Sequence, residues 1–157
     1  IAIKYNWIPG HCNPYYNMAK INMNEKLYEE ARNYLDTAIS MDSTNASYFM
    51  DRGICNYKLG NLPEAIYDYT KTIELDSVKT LPFLNRGVAF CRLEQYENGL
   101  EDFKSILELD KENIKAYLNM GHVYYKLGEK LKACENYKKA ASLGSEAANE
   151  VIMELCE

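Results

Sequence analysis

Proline is scarce, with four in 157 residues, and no apolar run approaches the roughly eighteen residues that a membrane-crossing helix needs. Membrane insertion is therefore not expected, and long helices escape their usual breaker. Only two histidines occur, His11 and His122, and there is no HExxH, no GxSxG, no glycine-rich phosphate loop and no Cys/His constellation. Neither catalytic residues, nor a metal site, nor a cofactor is expected. Carboxylates are common but scattered as on solvated helix faces. Five cysteines are an odd number, which excludes complete pairing within the chain, and none stands in the CxxC spacing of a zinc ribbon or redox centre. A surplus of basic charge is also missing. Eighteen basic against twenty-three acidic residues leave a net charge of −5, which disfavours nucleic acid as a partner.

What is present is a ladder. Gly53, Gly87 and Gly121 recur every 34 residues, an interval that signals stacked repeats rather than one globular core. Sliding the chain against itself by that interval aligns four units, 12–45, 46–79, 80–113 and 114–147, without insertion or deletion. The fourth place of each unit is aromatic (Tyr15, Phe49, Phe83, Tyr117). The eighth is small (Ala19, Gly53, Gly87, Gly121), as is the twentieth (Ala31, Ala65, Gly99, Ala133). The twenty-fourth is large (Leu35, Tyr69, Phe103, Tyr137), and the thirtieth is Met41, Leu75, Leu109 and Leu143.

Apolar places separated by three and four residues, with a break near the fifteenth place at Gly60 and Gly128, predict two helices per unit. Helix A spans about the second to the fourteenth place and helix B about the seventeenth to the thirtieth. Asn13 ahead of Pro14, and Asn61 ahead of Leu62 and Pro63, supply capping side chains next to a proline in the first turn. Small residues at the eighth and twentieth places let the two backbones approach. One hairpin cannot bury its apolar stripe alone, so four stacked hairpins form one continuous core.

The pattern resembles the tetratricopeptide repeat family over roughly Cys12 to Ala147. In the fourth unit, Tyr117, Met120, Gly121, Tyr124, Gly128, Ala133, Tyr137 and Ala140 occupy the places of that family's signature. The closing proline is replaced by Ser43, Ser77, Lys111 and Ser145, and the leucine before glycine by Arg52 and Arg86. Arginine can lay its stem on apolar surface while its head reaches water, so packing is expected to survive. The resemblance implies an all-α fold, a right-handed α-solenoid of four helix-turn-helix repeats. A C-terminal capping helix over 148–157 follows, with Ala148, Val151, Ile152 and Leu155 able to cover the last unit. Residues 1–11 are read either as an arm with Trp7 tucked against the first helices or as the remnant of a preceding helix B. Ile1, in place of an initiator methionine, fits a chain cut from something longer.

In this family helix A lines a concave groove, and the resemblance implies which residues face it here. The fifth place carries Tyr16, Met50, Leu84 and Leu118, the ninth Lys20, Ile54, Val88 and His122, and the twelfth includes Tyr57 and Tyr125. Beside this apolar floor the thirteenth place gives a basic edge of Lys58, Arg92 and Lys126, and the sixth gives the amides of Asn85 and Asn119. Such a groove suits a peptide segment with apolar anchors and some acidic character. The expected function is a non-catalytic scaffold or adaptor whose partner is a protein or peptide. The alternative is a structural spacer, weakly self-associating, within a larger sensor or envelope protein. Chaperone-binding relatives grip a C-terminal carboxylate with lysine at the fifth and asparagine at the ninth place of the first unit. Tyr16 and Lys20 stand there instead, so heat-shock protein tails are not expected ligands.

Cys55 and Cys91 fall on A helices and read as core fillers. Cys134 and Cys156 count out to about the same height on the last helix B and the antiparallel cap, so a clasp is geometrically possible; two reduced thiols are the plainer alternative. The pair also resembles the cysteine-bearing tail of some bacterial envelope members of the family. That likeness implies an oxidising compartment, the cell envelope or periplasm, as against the cytoplasm.

Overall fold

A computed structural model of the chain describes residues 13–156. The N-terminal arm with Trp7 and His11 lies outside the described residues, as do Cys12 and Glu157. Among the described residues there are nine helices and no strand. In chain order they are α1 (Pro14–Asn24), α2 (Tyr28–Met41), α3 (Ala46–Leu59), α4 (Leu62–Leu75), α5 (Thr80–Arg92), α6 (Tyr96–Leu109), α7 (Ile114–Lys126), α8 (Lys130–Ser142) and α9 (Glu146–Leu155). By the density of its contacts the chain divides into two compact units, the boundary falling inside α4 between Lys71 and Thr72.

Local signals set several of the helix ends, although α2, α5, α6 and α8 begin without a side-chain cap. The Asn13 side chain accepts from the amides of Tyr15 and Tyr16, with Pro14 in the first turn. Asn45, Asn113 and Ser145 cap α3, α7 and α9 in the same way. The A helices end by turning left-handed at the fifteenth place, at Lys26 (φ 63), Gly60 (φ 85), Glu94 (φ 59) and Gly128 (φ 76). Glycine takes that conformation freely, and the lysine and glutamate take it against steric resistance.

In the first unit, α1 and α2 pair and α3 packs back on α2 around Ala19, Ala31, Leu35, Ala38, Tyr48 and Cys55, all buried. In the second unit one core gathers Leu100, Phe103 and Ile106 of α6 with Ala116, Met120 and Val123 of α7. Another gathers Ala133, Tyr137 and Ala140 of α8 with Ala148 of α9.

The small eighth place seats the large twenty-fourth place of the same hairpin. A Cβ built on Gly53, Gly87 or Gly121 would lie 2.7 Å from a ring carbon of Tyr69, Phe103 or Tyr137 respectively. All three rings are essentially fully buried, each a transfer gain of roughly 1.5 to 3 kcal/mol. In the first hairpin the corresponding residues are Ala19 and Leu35, both fully buried. Where the glycine gains a methyl, the ring becomes a leucine. Helices α5 and α6 come especially close, because a Cβ on Gly99 would lie 3.0 Å from the Gly87 carbonyl oxygen and 2.6 Å from Cys91 Sγ.

The expectation that Arg52 and Arg86 reach water is corrected. The Arg52 guanidinium donates to Asp68, Nη2 to Oδ1 at 2.7 Å, and to Asp36, Nη1 to Oδ1 at 2.6 Å. Asn56 adds a bond from Nδ2 to Asp68 Oδ2 at 2.9 Å. Arg86 donates to Asp102 through Nη2 at 2.6 Å and Nε at 3.0 Å. Asp68 and Asp102 are buried, and in each case the arginine supplies the compensating positive charge. Burial pushes the Asp102 carboxyl above the usual carboxylate range, and Arg86 pulls it back.

Candidate functional site

The residues expected to line a groove sit on α1 and α3 in the first unit and on α5 and α7 in the second. None of them is fully buried: Lys20, Lys58, Arg92, His122, Tyr125 and Lys126 are exposed and the others half-buried.

In the first unit two of them are tied by the chain itself. Asp51 Oδ2 accepts from the Tyr16 hydroxyl at 2.8 Å and pairs with Lys20 Nζ at 3.0 Å. Burial and the Asp51 bond raise the Tyr16 pKa, keeping the phenol protonated. Tyr16 also rests against Tyr48, ring centroids 4.8 Å apart. This corner is thus a built polar contact between α1 and α3, and Asp51, at the sixth place, cannot act as an amide does. Met50, Ile54 and Tyr57 are half-buried along α3, with Lys58 exposed beside them.

In the second unit the apolar floor is partly a packing seam. Leu84 and Val88 lean on the core built by Phe103 and Ile106, and Leu118 leans on the core of α8 and α9. Asn85 is half-buried. The Asn119 side chain donates Nδ2 to the Lys115 carbonyl oxygen of its own helix at 2.7 Å, which takes up one of its two amide protons. Five of the expected residues come together. Val88, Arg92, Asn119, His122 and Lys126, with Cys91, Tyr96 and Val123, line a depression of 220 Å³. A second depression, of 310 Å³, shares His122 and adds Tyr125, Tyr137, Val151, Glu154 and Leu155. The sequence pattern does not point to the last four as lining residues, because it reads Tyr137 as the large twenty-fourth place of helix B and marks α9 only as a cover.

His122 stands at the junction of the two. Its ring meets that of Tyr137 edge-on, centroids 5.5 Å apart at 76°. Although the residue is exposed at its rim, the surrounding protein desolvates the imidazole and lowers its pKa, so the ring is neutral at neutral pH.

Cys134 on α8 and Cys156 after α9 are joined in a disulfide, Cα atoms 5.7 Å apart. Cys55 and Cys91 are free thiols, and burial pushes them up to about 12 and about 11. Thiols so seldom ionised are poor nucleophiles. Among the described residues no group of three His, Cys, Asp or Glu side chains could hold a metal ion, and no helix is long and apolar enough to cross a membrane.

Family models described as tetratricopeptide repeat match residues 16–77 and 114–143, and one described as TPR repeat matches residues 87–128. No curated protein sequence matches the chain. Among solved structures, that of MamA superposes with a TM-score of 0.81 at 21% identity, over 86% of this chain and 79% of MamA. YrrB, described as a TPR protein with an unusual peptide-binding site, gives 0.82 at 21% identity, over 90% of this chain and 73% of YrrB. The first TPR of Spaghetti (RPAP3), bound to the HSP90 peptide SRMEEVD, gives 0.67 at 25% identity, over 73% of this chain and 93% of its own. These likenesses show the fold, that of the all-α tetratricopeptide solenoids.

Proposed function

Because the chain belongs to the tetratricopeptide repeat family, we propose that it is a non-catalytic scaffold or adaptor that binds a peptide segment of a partner protein on its helix-A faces. The observation that carries this reading is the depression between α5 and α7, where Val88, Cys91 and Val123 give an apolar base and Arg92 and Lys126 a cationic edge. Apolar surface at the base of an open depression is the usual seat of an anchor side chain, and a cationic rim selects acidic neighbours. Peptide binding by structural neighbours, YrrB and the first TPR of Spaghetti, supports the same reading. In the first unit the half-buried Met50, Ile54 and Tyr57 with exposed Lys58 offer a comparable face on α3. The tie between Asp51 and both Tyr16 and Lys20 argues against a carboxylate clamp on α1.

Affinity capture from the native source, with identification of the retained proteins, tests this. Lys126→Glu is preferred to a change at Leu84, since Lys126 is exposed and Leu84 leans on the core. The charge reversal should weaken capture, and the wild-type interaction should weaken as salt rises. Capture by Lys126→Glu equal to that of the wild type at low salt would place recognition elsewhere.

A further inference from the structure

Helix α9 does more than cover the last hairpin. Its Val151, Glu154 and Leu155 form one wall of the 310 Å³ depression whose other wall is His122, Tyr125 and Tyr137. The wall is fixed at both ends, by Ala148, fully buried against α8, and by the disulfide from Cys156 to Cys134. The cleft therefore stands preformed.

Its lining has a definite chemistry. Glu154 is the one formally charged group in it, and among the described residues Glu154 has no ion-pair partner. Tyr137 is 1% exposed, and among the described residues its hydroxyl has no hydrogen-bond partner. That hydroxyl keeps contact with solvent, so it is open to an incoming donor. Tyr125 is 54% exposed and presents an aromatic surface beside Val151 and Leu155. His122, neutral at neutral pH, adds no positive charge. Across His122 the neighbouring depression carries Arg92 and Lys126 and no carboxylate. One imidazole thus separates a cationic cleft from an anionic one.

We propose that the α9-walled cleft is a subsite for a basic side chain, lysine or arginine, of the bound polypeptide. The aliphatic stem lies along Val151, Leu155 and the Tyr125 ring, and the cationic head donates to the Glu154 carboxylate and the Tyr137 hydroxyl oxygen. Stems of this kind pack well on apolar walls while their heads seek charge. A peptide that fills both clefts carries an acidic residue toward Arg92 and Lys126 and a basic residue toward Glu154, which fixes its direction along α7. The inference deepens the peptide-binding reading and rests on it for the choice of α7 as the recognition helix.

The test uses the whole chain and needs no partner. Nα-acetyl-lysine amide and its uncharged isostere Nα-acetyl-norleucine amide are titrated separately while the resonances of His122, Tyr125 and the α9 amides are followed by NMR. The lysine probe should give saturable shifts at these positions with about ten-fold or more higher affinity than the norleucine probe, as a charge-assisted hydrogen bond implies. Glu154→Gln should reduce the lysine probe to the level of the norleucine probe. Equal response to the two probes, or undiminished binding by Glu154→Gln, overturns the proposal. Its failure is distinguishable from that of the wider reading: partner capture sensitive to Lys126→Glu survives a silent lysine probe, and a lysine probe that binds survives insensitive capture.

Discussion

Asp102 receives the guanidinium of Arg86 from sixteen residues earlier, Nη2 to Oδ1 at 2.6 Å, and Asp68 receives Arg52 across the same interval at 2.7 Å. Removing one member strands a buried charge. Arg86→Ala should therefore lose about 3 kcal/mol of stability, while Arg86→Leu combined with Asp102→Leu should recover most of it, because a buried pair contributes little over an apolar one. Urea unfolding of the two variants decides the matter; an Arg86→Ala midpoint equal to the wild type's would mean that Asp102 finds water instead.

Gly87 has no room for a methyl, since a Cβ there would lie 2.7 Å from Phe103. Gly87→Ala should cost about 1 to 3 kcal/mol by overpacking. Adding Phe103→Leu should restore part of the loss, imitating the Ala19 and Leu35 of the first hairpin. Thermal unfolding of the single and double variants reads this directly, and an additive double variant would refute the coupling.

His122 should titrate below its ordinary value of 6.5, because its surroundings disfavour the charged ring. A lowered folded-state pKa contributes stability that is present above the unfolded value and is lost as the pH falls through the folded one. Acidification from neutrality should thus weaken the fold through this group, and His122→Gln should flatten that slope. The imidazole resonance followed against pH gives the midpoint; one at or above 6.5 contradicts the burial argument.

Cys156 closes a loop of sequence separation 22. On the chain-entropy account, Cys156→Ser should lower stability by about 3 kcal/mol. Hydrogen exchange should place the loss in α9, where Ala148 is the one buried residue. Unaltered exchange in α9 would show that Val151, Ile152 and Leu155 hold the helix without the clasp.

Glu94 turns left-handed with φ 59, whereas the same place in the second and fourth hairpins is glycine. Glu94→Gly should raise stability by up to about 1 kcal/mol, steric relief outweighing the added freedom of the unfolded chain. Calorimetry measures the sign.

The helices are legible in the sequence because periodicity, caps and breaks agree with one another, so that α4, for example, runs from Leu62 to Leu75 as the place-count predicts. The close approach of the hairpin backbones is legible for a related reason: a column holding only glycine and alanine leaves nothing bulky to keep two helices apart. The ring seats are not legible, since the residues that meet lie sixteen apart on different helices and spacing within one helix says nothing of them. Arg52 and Arg86 read as departures from a leucine column, while their partners Asp68 and Asp102 lie in another column. Substitutions that compensate each other across a hairpin are invisible when each column is read alone. The face on α7 is legible only as far as helix A; the cap is legible as a cover, but that its Glu154, with Tyr137 of α8, lines a depression beside His122 is not, because the family pattern assigns lining places to helix A alone.

Every ring and its notch belong to one and the same stretch of 34 residues. A copied stretch therefore arrives with key and lock together, so this one fit needs no matching change in another repeat when whole repeats are gained or lost.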